Sequence, residues 1–227
     1  MTTQIIHYGD EGHILYIARV SSNQENTNPG LLGYLIKHNH WSPFEMVGAC
    51  FEIQTTRDIG RQILRHRSFS FQEFSQRYAV VDAEGLSNMI TREMRMKGSS
   101  NRQGSLPNRS PELEEKIREL AEVGFKGYHE LINLGVAPEC ARSILPEGYA
   151  PTKLYMNGTL RSWIHYIKDR TALNPEGIPY AQREHYRLAV DIWRQLANVY
   201  PVTFQAIEEM EYFPREQIAA GLKELGL

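Results

Sequence analysis

The chain has 227 residues, with 25 Lys+Arg against 27 Asp+Glu and a formal net charge of -2. That balance argues against a general nucleic-acid or membrane-surface binder, and 41% hydrophobic with 10% aromatic residues is too apolar for disorder. No apolar run approaches the roughly 20 residues of a membrane span, and two cysteines, Cys50 and Cys140, are too few for a disulfide scaffold.

The opening stretch MTTQIIHYGDEGH carries neither the basic nor the apolar part of a signal peptide, which predicts a cytoplasmic protein. Glu11 to Val20 reads as a short helix, and Pro29 to His40 as another with Leu31, Leu32, Leu35 and Ile36 on one side. Val47, Ala49, Phe51, Ile53 and Thr55 alternate with polar or small neighbours, the period-two pattern of a half-buried strand. A helix is expected from Arg57 to about His66, followed by an extended or irregular piece to Val81. Residues 83–109 form a long polar excursion, the kind of loop that in compact domains is functional or mobile. Ser110 and Pro111 suit the N-cap and first position of a helix whose Leu113, Ile117, Leu120, Tyr128 and Leu131 keep helical spacing until Gly135. Shorter helices are expected over Pro138–Leu145, Asn157–Thr171 and Ala181–Tyr200. The sum is an α+β fold, a small antiparallel sheet surrounded by several helices, in one domain over 1–227.

Basic residues divide into 18 arginines and only 7 lysines. Five of the arginines, and no lysine, lie between Arg57 and Arg77. Placed on one helix, Arg57, Arg61 and Arg65 share a face with Gln62 beside them, an arrangement that repels itself unless something anionic compensates. Arginine's planar fork binds phosphate or carboxylate bidentately, whereas lysine offers a point charge. A solvated basic face or intersubunit ion pairs would explain the same residues.

The following run, Arg65-His66-Arg67 and then, after seven residues, Ser75, resembles the signature of the flavin-dependent thymidylate synthases. Further segments are similar to that family in the same order: Ala18-Arg19-Val20-Ser21, Lys37 to Glu45 (KHNHWSPFE), Glu139 to Pro146 around Arg142, and Leu160-Arg161-Ser162-Trp163 running to Arg170. The resemblance implies a fold without a Rossmann domain, and no G-x-G-x-x-G is present. It implies synthesis of dTMP from dUMP, with methylenetetrahydrofolate as carbon donor and NADPH supplying hydride through FAD, in a homotetramer. Gln62, Ile63, Leu64, Arg65, Glu73, Phe74, Ser75, Gln76, Arg77, Arg142 and Arg170 match dUMP-binding positions, with Glu73 to Arg77 coming from a neighbouring subunit. Arg170 matches the residue credited with activating the pyrimidine. Ser42, Arg65, His66, Arg67, Glu73, Thr159, Leu160, Arg161 and His165 match flavin contacts. The chain departs from the pattern after Arg170, where an insertion precedes Gln182 and Tyr180 replaces a histidine.

Other readings of these residues are less economical. Ser75 as a nucleophile needs an adjacent base, and the resemblance gives His66, the one histidine near it in sequence, to the flavin, so Ser75 reads as a dUMP ligand. Cys140 beside Arg142 invites comparison with a catalytic thiol, but a buried structural thiol is the expectation. His38-x-His40 lacks a third ligand at metal spacing, so no metal is expected. An RNA- or nucleotide-binding module using Phe69, Phe71, Phe74 and Tyr78 for stacking is the alternative function, against which the net charge counts. A related flavin-dependent methyltransferase with another acceptor is the third.

Overall fold

The computed structural model describes residues 1–20, 28–81, 94–97, 105–107 and 111–226. In chain order these form β1 (Thr2–Tyr8), α1 (Gly12–Ala18), α2 (Gly30–Lys37), a 3-10 turn at Ser42–Glu45, β2 (Gly48–Thr56), α3 (Arg57–Ile63) and β3 (Phe69–Glu73). A short hairpin follows, β4 (Arg95–Lys97) with β5 (Ser105–Pro107), then α4 (Pro111–Asn133), α5 (Pro138–Ala141) and a 3-10 turn at Arg142–Ile144. The remainder is β6 (Pro151–Thr159), α6 (Leu160–Thr171), α7 (Arg183–Val199), α8 (Pro201–Glu209) and α9 (Arg215–Leu225). No helix among the described residues is long and apolar enough to cross a membrane.

By its internal contacts the chain divides into two units. The first comprises Met1–Gln54, Arg61–Glu73 and Lys153–Leu227. Its sheet has the order β1-β2-β6-β3, with β1 antiparallel to β2 and β3 antiparallel to β6. The alternation in β2 puts Ala49, Phe51 and Ile53 on one buried face, and Leu154 and Met156 do the same in β6. Against that face packs α6, whose Trp163 meets the Phe51 ring at 4.9 Å and donates its indole N–H to the Ala49 carbonyl at 3.0 Å. Each such fully buried apolar side chain contributes about 1.5–3 kcal/mol, and the satisfied indole avoids the cost of an orphaned donor.

Where β3 meets β6, Phe69 lies opposite Gly158, and a Cβ on Gly158 would sit 2.3 Å from the Phe69 ring. A Cβ on Gly48 would sit 2.6 Å from the Gly158 carbonyl oxygen, so two glycines permit this close approach. Beyond it the Leu160 N–H donates to the Val47 carbonyl at 2.7 Å, tying the start of α6 to the sheet.

In the second unit, Thr55–Gly60 and Phe74–Thr152, the core gathers Phe125 and Tyr128 of α4 with Val81, Ala141 and Ala150. The Val81 N–H donates to the Tyr128 hydroxyl oxygen at 3.0 Å. Pro111 opens α4, and Gly135 follows its end at φ +83, the left-handed conformation that glycine adopts without strain.

Several expected boundaries move. The helix from Arg57 stops at Ile63, so Arg65 leaves the face of Arg57 and Arg61; the chain turns there to enter β3. Asn157 to Thr159 belong to β6 rather than to the following helix, because Phe69 and Ser70 pair with Gly158 and Asn157. The first strand and the last two helices were not anticipated. Most of the polar excursion at 83–109, and Ser110, lie outside the described residues.

Candidate functional site

The turn between α3 and β3 is closed by His66 N–H donating to the Ile63 carbonyl at 3.1 Å and Phe69 N–H donating to the His66 carbonyl at 3.3 Å. It leaves Arg65 and Arg67 exposed and folds His66 inward. The His66 ring stands edge-on to Tyr166 at 4.8 Å and to Phe69 at 6.4 Å. From one turn further along α6, Arg170 donates its Nε–H to His66 Nε2 at 2.8 Å. Burial, and then the Arg170 charge, push the His66 pKa down to about 4. His66 is therefore neutral near pH 7, accepts at Nε2 and carries its proton on Nδ1.

Just before that turn Ile63 is buried, while Gln62 and Leu64 are half-buried. Gln62 donates its amide N–H to Gln182 Oε1 at 2.7 Å, and its own Oε1 lies 3.3 Å from His185 Nδ1. The other ring nitrogen of His185 lies 2.9 Å from the Tyr166 hydroxyl. Gln62, His66 and Arg170 thus stand on one buried framework of aromatic rings and hydrogen bonds.

A second cluster surrounds the start of α6. Thr159 caps the helix, its hydroxyl accepting from the Ser162 N–H at 3.2 Å, and Leu160 is buried. Arg161 is ion-paired with Glu45, which ties the helix to the 3-10 turn opened by exposed Ser42. Trp41, buried just before that turn, meets the His165 ring at 5.1 Å and Tyr212 at 4.9 Å. His165 Nε2 is buried and has no hydrogen-bond partner among the described residues. Burial, and then the Arg161 charge, lower its pKa. Beside the cap lies an open groove of about 440 Å³ lined by His7, His13, Glu45, Ser68, Asn157 and Thr159 among others.

The orphaned His165 nitrogen, the capped N-terminus of a 12-residue helix and exposed Arg65 and Arg67 fit the flavin nucleotide that the resemblance implies. They supply a neutral imidazole, the positive end of a helix dipole and guanidinium donors for a polar, diphosphate-bearing molecule.

The remaining matched residues are divided. Glu73 ends β3 in the first unit, half-buried. Phe74, Ser75, Gln76, Arg77 and Arg142 belong to the second unit. Ser75 Oγ accepts from the Arg77 N–H at 3.4 Å, and Arg77 pairs with Glu139 at 3.5 Å. Gln76 is buried and its amide nitrogen has no partner among the described residues. Arg142 lies half-buried at the start of its 3-10 turn.

Cys140 is exposed, which corrects the expectation of a buried thiol. Among the described residues, no three His, Cys, Asp or Glu side chains gather as a metal site. The insertion after Arg170 folds as a tight turn: the Ile178 N–H donates to Asn174 Oδ1 at 2.7 Å, and Gly177 takes φ +76. Sequence reasoning missed His185 altogether, since it falls in no recognised motif; its place on the buried face of α7 was the available signal.

Residues 4–202 match the model of the family described as thymidylate synthase complementing protein. A flavin-dependent thymidylate synthase of Synechocystis is 42% identical over 204 residues, covering 87% of this chain and 89% of that protein. Another, from Thermus thermophilus, is 30% identical over 205 residues, covering 88% and 73%. A crystal structure of the UMP/dUMP methylase PolB from Streptomyces cacaoi, bound with 5-Br UMP, superposes with a TM-score of 0.76 at 27% identity, covering 92% of this chain and 94% of that one.

Proposed function

Because the chain belongs to the flavin-dependent thymidylate synthase family, we propose that its site converts dUMP to dTMP by reductive methylation, with Arg170 as the residue that activates the pyrimidine. The carbon comes from methylenetetrahydrofolate. Bound FAD would supply the hydride chemistry, with NADPH as the source, and placement of the reactants falls to the protein.

The observation that carries this assignment is the hydrogen bond between Arg170 and His66. Methylation at C5 of uracil develops negative charge on the N3–O4 side of the ring. A guanidinium keeps its charge at any working pH, and neutral His66 holds it by Nε, leaving the two terminal nitrogens uncommitted by that bond. A cation fixed beside the ring stabilises such charge by about 3–4 kcal/mol. A protonated His66 could not accept from Arg170, so the depressed pKa maintains the arrangement.

Gln62, Ile63, Leu64 and Arg65 are assigned to the nucleotide together with Arg170, and the family pattern adds Glu73 to Arg77 and Arg142. Arg65, His66, Arg67, Glu73, Ser42, Thr159, Leu160, Arg161 and His165 are assigned to FAD. Assembly as a homotetramer and a cytoplasmic setting belong to the same reading; the homotetramer rests on the family resemblance.

Purified protein, reconstituted with FAD, is expected to be yellow and to change its flavin absorption when dUMP is added. Protein that takes up no flavin, or whose flavin spectrum ignores dUMP, overturns the reading.

A further inference from the structure

A histidine outside every matched motif, His185, is hydrogen-bonded to Gln62. His185 is 0% exposed and Tyr166 1% exposed. Burial, and then the Arg170 charge, push the His185 pKa down to about 3, so the ring is neutral and one nitrogen donates while the other accepts. Among the described residues, His185 Nε2 is the acceptor available to the Tyr166 hydroxyl. If Nε2 carried the proton, the buried Tyr166 hydroxyl would have nothing to donate to, at substantial cost. Tyr166 O–H therefore donates to Nε2, and His185 donates from Nδ1 to Gln62 Oε1. Gln62 in turn donates to Gln182 Oε1. The chain of bonds runs in one direction, so the Gln62 amide cannot rotate without breaking two bonds.

We propose that His185, held by Tyr166, is a specificity-determining positioning residue: it fixes the Gln62 amide so that the pyrimidine meets an N–H donor and not a carbonyl acceptor. Uracil offers a carbonyl at position 4, whereas cytosine offers an amino group. An amide locked as a donor favours the first and disfavours the second. This inference rests on the assignment of Gln62 to dUMP.

The test measures equilibrium binding of dUMP and of dCMP to FAD-loaded protein, with melting temperature alongside. Tyr166→Phe removes the hydroxyl but keeps the ring against His66, and frees His185 to change tautomer. His185→Leu removes the relay, while His185→Asn retains a donor near the position of Nδ1. Tyr166→Phe and His185→Leu are expected to narrow the dUMP-over-dCMP preference about tenfold, chiefly by weakening dUMP, and His185→Asn to restore most of it. An unchanged preference in both relay variants overturns the inference, whether or not melting temperature falls. So does an His185→Asn variant no better than His185→Leu. Wild-type protein that binds no dUMP overturns the underlying assignment instead.

Discussion

At the scale of single residues, the proposed chemistry rests on Arg170, which is hydrogen-bonded to the neutral imidazole of His66. Lysine at position 170 would keep the charge but lose the guanidinium fork and the Nε–H that His66 accepts. Arg170→Lys is expected to lower kcat about 10²-fold while the protein still binds FAD; near-wild-type turnover would remove Arg170 from its assigned role. The arginines also show what sequence could deliver at this scale. The choice of arginine over lysine suggested recognition of phosphate or carboxylate, and Arg65-His66-Arg67 carried the family signature. Helical spacing misled about Arg65, because α3 ends at Ile63 and the chain turns. The link from His185 to Gln62 was illegible because the two residues lie 123 apart in sequence, although the place of His185 on the buried face of α7 was a signal.

At the scale of elements, the sheet sets the distance between its strands and α6, and Gly158 is where tolerance runs out. A methyl group there meets the Phe69 ring at 2.3 Å, and Phe69 lies only three residues after His66. Gly158→Ala is expected to destabilise the protein by about 1–3 kcal/mol through overpacking, read as a lower urea midpoint. An unchanged midpoint would mean that the strand pair yields easily. The alternation of β2 was plain in the sequence, since Ala49, Phe51 and Ile53 form an apolar run on one face. In β6 the same alternation of Thr152, Leu154 and Met156 was hidden by the helix that follows without a loop. Pro201 signals the start of α8, but its cap is tertiary: Glu11 accepts from the N–H groups of Val202 and Thr203 at 3.2 and 2.5 Å. No local pattern encodes a carboxylate supplied from so far away.

For the whole molecule, two neutral histidines, half-buried His66 and buried His185, link stability to pH. An unfolded histidine takes up a proton below about pH 6.5, whereas folded His66 and His185 resist protonation down to about 4 and about 3. Between those values the unfolded chain holds more protons, so the contribution of these groups is full above about pH 6.5 and is lost as pH falls toward 4 and below. The unfolding free energy is expected to drop steadily between pH 7 and 5, with a shallower slope in His66→Asn; equal slopes would contradict burial of a neutral His66.

Net charge near zero counted against a polyanion binder but hid the local arginines, because acids elsewhere mask them, while ordered motifs from residue 18 onward carried the family assignment. The central claim concerns a product. Protein loaded with FAD and supplied with dUMP, methylenetetrahydrofolate and NADPH should form dTMP at a rate that depends on all three and is about 10²-fold lower in Arg170→Lys. Absence of dTMP from well-folded, flavin-loaded protein under those conditions would contradict the account.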